Sequence, residues 1–142
     1  MKIYVEPSFL VSLYISDANS AAALRTMLTS SGEHFISVLG ELEAVNAFGL
    51  RVFRREASPM ESKSAMTNFE EDLRGRVFQL RDLSEAVFER ARQLSRQTTT
   101  KLGTRTADLL HAAAALELGA DCLYSFDQKQ RKLAQSVRLK LN

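Results

Sequence analysis

Short runs of apolar or alternating residues and longer stretches with an apolar residue every three to four positions follow one another along nearly all of this 142-residue chain. That alternation leaves few architectures open, because each run of period two hands over to a segment of helical period. It predicts a layered α/β fold with a mostly parallel sheet, with residues 1–142 forming a single domain. A composition of 45% hydrophobic and 25% charged residues suits one core of that size.

Lys2 to Val5 reads as the first strand, and Pro7 is placed to open a helix, where its missing N–H falls among donors left unpaired in any case. That helix carries Phe9, Leu10, Leu13 and Tyr14 on its core side. A second helix is expected over Ser20–Thr29, and a brief strand at Phe35 and Ile36. From Val38 to about Glu56 the residues Leu39, Leu42, Val45, Phe48 and Val52 keep the helical period, with Glu43 off that stripe. Ser58-Pro59-Met60-Glu61 has the form of a capping box opening a helix that reaches about Arg74 and stops at Gly75. Val77, Phe78 and Leu80 suggest a half-buried strand, and Ser84 caps a helix to about Gln97. The polar, β-branched run Thr98 to Gly103 is expected to break that helix into an exposed loop. Thr104 or Thr106 then caps an alanine-rich helix ended by Gly119. Cys122–Phe126 reads as the last core strand, Asp127 as the cap of a helix over Gln128–Ala134, and Val137–Leu141 as an edge strand.

The opening segment is apolar but contains Glu6 and Pro7, lacks a small-residue cleavage site and is too short for a clean membrane span. A single cysteine, Cys122, cannot form an internal disulfide, and its neighbours place it in a strand interior. Together these predict a cytoplasmic protein without a membrane partner. A net charge of +2 permits nucleic-acid binding without demanding it. Arg51, Arg54 and Arg55 cluster late in one helix, Lys101 and Arg105 precede another, and each cluster alone reads as a solvated face.

Glu6, Glu43, Asp108 and Asp127 are distant in sequence, yet each falls beside a predicted strand end or in the early turns of a helix. In an open α/β sheet the crevice lies outside the carboxyl ends of the strands, so such acids can converge. Converging carboxylates suit a hard divalent cation and chemistry on phosphates. Without an ion they would repel one another, which predicts at least one partly protonated carboxyl. Taken singly, Asp127 reads as an N-cap, Asp108 as a residue complementing a helix dipole and Glu43 as a surface acid. His111, one turn after Asp108, reads as a core or supporting residue.

Glu6-Pro7-Ser8, Glu43-Ala44-Val45-Asn46, Asp108-Leu109-Leu110-His111 and Ser125-Phe126-Asp127-Gln128 appear in order, and in them the chain resembles the PIN-domain ribonucleases, most closely the VapC-type toxins of toxin–antitoxin pairs. The resemblance implies a three-layer α/β/α PIN-like fold with a central, mostly parallel sheet of four to five strands, and an endoribonuclease dependent on magnesium or manganese, with an RNA substrate, a cognate antitoxin and a homodimeric state. It places Glu43, Asp108 and Asp127 as metal ligands and catalytic acids, with Glu6 as the fourth where the family has aspartate. The extra methylene of Glu6 is expected to push its carboxylate outward. Ser8 and Ser125 support the site, and Asn46, one turn from Glu43, is expected to orient that carboxylate. Phe53, Met60 and Met66 are candidates for apolar contacts between subunits. The competing reading is a catalytically weakened domain that binds RNA or a partner protein. A phospho-acceptor domain of flavodoxin-like type fits less well, because Pro7 and Ser8 follow Glu6 where that class needs a second acid.

Overall fold

The computed structural model describes residues 1–142. Five strands form one sheet in the order β3-β2-β1-β4-β5, with β1 at Lys2–Val5, β2 at Glu33–Ser37, β3 at Gln79–Arg81, β4 at Cys122–Tyr124 and β5 at Lys140–Leu141. Every pairing is parallel, including Tyr4 with Phe35 and with Leu123. Helices α1 (Pro7–Tyr14), α2 (Ser20–Thr29), α3 (Val38–Phe53) and α4 (Pro59–Arg74) connect the first three strands. Helices α5 (Glu85–Leu102), α6 (Thr106–Leu118) and α7 (Gln128–Ser136) follow.

The sheet is buried on both faces, and the side-chain alternation of its strands divides the core in two. Ile3, Val5, Ile36, Cys122 and Tyr124 pack with Phe9, Phe48 and Phe69 from α1, α3 and α4. Tyr4 and Leu123 point the other way, into a cluster built from Val87, Leu94, Leu109, Ala113 and Leu133 of α5, α6 and α7. Each fully buried phenylalanine contributes about 1.5–3 kcal/mol of transfer free energy. The small alanine face of α6 lets that helix lie close against the sheet, which carries Asp108 and His111 inward.

Several boundaries differ from the sequence reading. Helix α5 runs through Thr98–Leu102 instead of breaking there, because Thr98 is buried and its hydroxyl donates to the Leu94 carbonyl at 2.7 Å. Its hydroxyl is thus satisfied by the helix itself, and burial outweighs the modest cost of β-branching. The helix ends instead at Gly103, whose φ of 61° is the left-handed conformation glycine adopts without strain. The N-cap of α6 is Arg105, with Thr106 already inside the helix. Helix α3 stops at Phe53, where Arg55 turns left-handed and the Glu56 and Ala57 N–H groups close on the Arg51 carbonyl. The third strand lies at Gln79–Arg81, two residues later than Val77, and the last two strands are shorter than expected. The capping box at Ser58 and Glu61 forms as predicted.

Candidate active site

Strands β1, β2 and β3 extend the sheet in one direction and β4 and β5 in the other, so the strand order reverses between β1 and β4. Such a switch point opens a crevice at the carboxyl ends of the strands. Glu6 leaves β1 there and Ser125 leaves β4, with the Glu6 N–H donating to the Tyr124 carbonyl at 3.0 Å. A cleft of about 590 Å³ lies alongside, lined among others by Ser8, Glu43, Asn46, Arg51, Arg54 and Asp127.

Glu6 is buried rather than pushed outward. Its longer side chain folds back onto two hydroxyls, Ser8 Oγ and Ser125 Oγ, the latter donating to Oε2 at 2.7 Å. Because the carboxylate is spent there, Glu6 occupies the N-cap position of α1 without capping it. Ser8 Oγ in turn accepts the N–H groups of Phe126 at 2.9 Å and Asp127 at 3.2 Å, so the first turn of α1 holds the chain as it leaves β4. Burial drives the Glu6 carboxyl above the ordinary glutamate range, against the opposing pull of its hydroxyl donors. A perturbed carboxyl was expected from crowding of acids; for Glu6 the cause is desolvation, with no contribution from a neighbouring acid.

Asp127 performs two tasks with two oxygens. Oδ1 caps α7 by accepting the Gln130 N–H at 3.0 Å, and Oδ2 lies 3.2 Å from Arg105 Nη2. Asp108, in the first turn of α6, accepts from Arg105 Nε at 3.0 Å and from the Arg105 backbone N–H at 3.4 Å. The Arg105 side chain has no acceptor to offer in return, so only the carboxylate half of a capping box exists here. Gln130 donates to the Asp108 carbonyl at 3.1 Å, which joins α7 to α6.

Glu43 projects from α3 into the cleft, and its Oε1 lies 2.7 Å from His111 Nε2. His111 Nδ1 is 2.8 Å from Tyr4 Oη, which is itself 2.8 Å from Ser37 Oγ. Burial pushes the Tyr4 phenol far up, so it remains a hydroxyl donor. Asn46 lines the same cleft without a hydrogen bond to Glu43, so the partner that orients this carboxylate is His111. Arg105 escaped the sequence reading as a site residue, although its position three residues before Asp108 is a helical spacing that brings the two together.

Glu6, Asp108 and Asp127 are thus joined through serines, backbone and Arg105, and Glu43 stands across the cleft on His111. No three His, Cys, Asp or Glu side chains are arranged as an ion's ligand set. The donor chemistry nevertheless fits a hard divalent cation, since it is all oxygen. The Arg105 guanidinium already supplies a positive charge between two of the carboxylates.

A parallel α/β/α domain with acids gathered at the switch-point crevice of its sheet is the class that fold and site define. The PIN domain family profile matches residues 3–136, and the chain belongs to that family. No curated protein sequence matches it significantly. Among solved structures it is similar to VapC20 of Mycobacterium tuberculosis, a Sarcin-Ricin loop cleaving toxin, at 18% identity and a TM-score of 0.70, over 92% of this chain and 93% of the other. It is similar to VapBC2 from Rickettsia felis, bound to a DNA fragment from its promoter, at 17% identity and a TM-score of 0.70, over 100% and 98%. FitAcB from Neisseria gonorrhoeae aligns at 14% identity and a TM-score of 0.67, over 98% and 95%. At these identities the likeness is one of fold.

Proposed function

We propose that this chain, acting as one PIN-like unit over residues 1–142, is a magnesium- or manganese-dependent endoribonuclease and the toxin of a toxin–antitoxin pair. The observation that carries the reading is that Glu43 and Asp127 line one cleft with Asn46, Arg51 and Arg54, while Asp108 and Glu6 are tied to Asp127 through Arg105 and the serines. An acidic end suits an ion and a basic end suits the phosphates of a nucleic acid.

Glu43, Asp108 and Asp127 would hold the ion, with Glu6 behind them anchoring the serines that place Asp127. When bound, a divalent ion supplies positive charge toward the scissile phosphate and lowers the pKa of water. Arg54 faces the cleft and has no ion-pair partner, so it is free to meet a backbone phosphate. Arg51 is held in the same wall by Asp17 at 3.1 Å. Glu43 Oε2, the oxygen His111 leaves free, is the one available to the ion.

Similarity to a toxin and to VapBC assemblies supports an antitoxin partner. Phe53 and Met60 are 84% and 78% exposed and suit a homodimer contact, to which half-buried Met66 would add little. No helix is long and apolar enough to cross a membrane, which accords with a cytoplasmic location.

The test is cleavage of a mixed RNA by partner-free protein with magnesium or manganese and with chelator, comparing wild type with Asp108→Asn. Cleavage that needs the ion and disappears in the variant is expected. Cleavage that survives chelator or the substitution would overturn the reading.

A further inference from the structure

We propose that His111, fixed by Tyr4 and Ser37, is the positioning residue that presents the Glu43 carboxylate to the cleft. The inference rests on the nuclease reading, because it concerns how one of the acids of that site is held. Its basis is a chain of polar groups inside an otherwise apolar layer. Tyr4 and His111 are buried in the interior, and Ser37 is equally inaccessible at the end of β2. Nothing in packing calls for them, since aromatic or aliphatic residues of similar volume would fill the same space without three polar groups to satisfy.

The direction of the chain follows from its ends. A carboxylate only accepts, so the 2.7 Å contact with Glu43 Oε1 requires the hydrogen on His111 Nε2. On the other side of the ring, His111 Nδ1 lies 2.8 Å from Tyr4 Oη. The Tyr4 hydroxyl donates to Ser37 Oγ at 2.8 Å, and Ser37 Oγ also accepts the Gly40 N–H at 3.1 Å.

The consequence lies at Glu43. A glutamate on an exposed helix face samples several rotamers, but here one oxygen is held by a ring that the core immobilises. With 36% of the side chain exposed, the second oxygen is left facing the cleft. Partners of this kind typically change metal affinity or activity by about 10–100-fold when removed. The backbone contributes too, since Gly40, which donates to Ser37, lies in the first turn of the helix that carries Glu43.

Substitutions at His111, Tyr4 and Glu43, followed by three readouts, test this. In metal-free wild type, nitrogen NMR of the imidazole should show a hydrogen on Nε2. Calorimetric manganese binding should weaken about tenfold in His111→Ala. His111→Gln, whose amide nitrogen falls near the position of Nε2, should restore much of the loss. In RNA cleavage the loss should appear in kcat rather than KM. Combining His111→Ala with Glu43→Gln should cost no more manganese affinity than Glu43→Gln alone, an outcome a merely structural role would not give. If His111→Ala does not fold, Tyr4→Phe carries the test through a smaller loss in the same direction. A hydrogen on Nδ1 alone, or folded variants that bind manganese like wild type, would overturn the proposal alone. Wild type that binds no manganese would overturn the nuclease reading and the proposal together, whatever tautomer the ring shows.

Discussion

Arg105 reaches Asp127 at 3.2 Å, and through that contact the residue capping α6 is tied to the residue capping α7. The same guanidinium holds Asp108 at 3.0 Å, so two acids that would repel each other share one internal cation. A side chain 57% exposed is not locked in place, and exposed pairs of this kind are worth about 0.2–1 kcal/mol each.

Arg105 and a divalent ion would therefore compete for the same carboxylates. Arg105→Ala is expected to tighten manganese binding about two- to fivefold, the range that an exposed ion pair corresponds to. It should also lower the melting temperature of the metal-free protein slightly. Calorimetry and melting curves measure both, and unchanged or weaker manganese binding would remove Arg105 from the competition.

The buried Glu6 carboxyl makes stability depend on pH with a definite sign. Its folded-state pKa is raised, so the folded state holds the proton more tightly than the unfolded chain does. Stability is thus unaffected below the ordinary glutamate value of about 4.3 and declines as pH rises through the raised value. Glu6→Gln keeps an amide oxygen for Ser8 and Ser125 and removes the ionisation. Its melting temperature is expected to exceed that of wild type near neutral pH and to match it near pH 4. A gap that does not change with pH would contradict the assignment.

Phe9 stacks on Phe126 with ring centroids 5.2 Å apart and packs on Tyr124 at 5.1 Å. Phe126 immediately precedes Asp127, so this aromatic contact supports the position of a candidate ligand as well as the core. Phe9→Ala is expected to cost about 3–5 kcal/mol in urea unfolding, in line with other phenylalanine truncations in cores. A loss under ~1 kcal/mol would mean that the site end of the core collapses to fill the gap.

Ser58 caps α4 by accepting the Glu61 N–H at 3.1 Å, and Glu61 returns the contact to the Ser58 N–H at 3.2 Å. Ser58→Ala should cost about 1 kcal/mol. RNA cleavage should not change, because α4 contributes no residue to the cleft.

What the sequence made legible follows from how local the determining physics is. Pro7, Ser58, Ser84, Gly119 and Asp127 mark helix ends through interactions spanning a few residues, and all five do so in the structure. Thr98 misled because its burial depends on packing remote in sequence. The convergence of the acids at the strand ends could be anticipated from the alternation of strands and helices. The partner of Glu43 could not, since His111 lies 68 residues away and only the tertiary fold brings the two together. Glu6 was misjudged for a similar reason: an added methylene points outward only if nothing inside accepts the carboxylate, and Ser125 does.

The parallel pairing of β1 with β4 sets Tyr4 against Leu123, nearly the full chain apart. A polypeptide still emerging from the ribosome can carry Glu6 and Glu43 while lacking the strand that completes the crevice and the serine and aspartate that follow it. Whatever the cleft does, it cannot begin until β4 has docked, so the segment through Asp127 must be made before the crevice is whole.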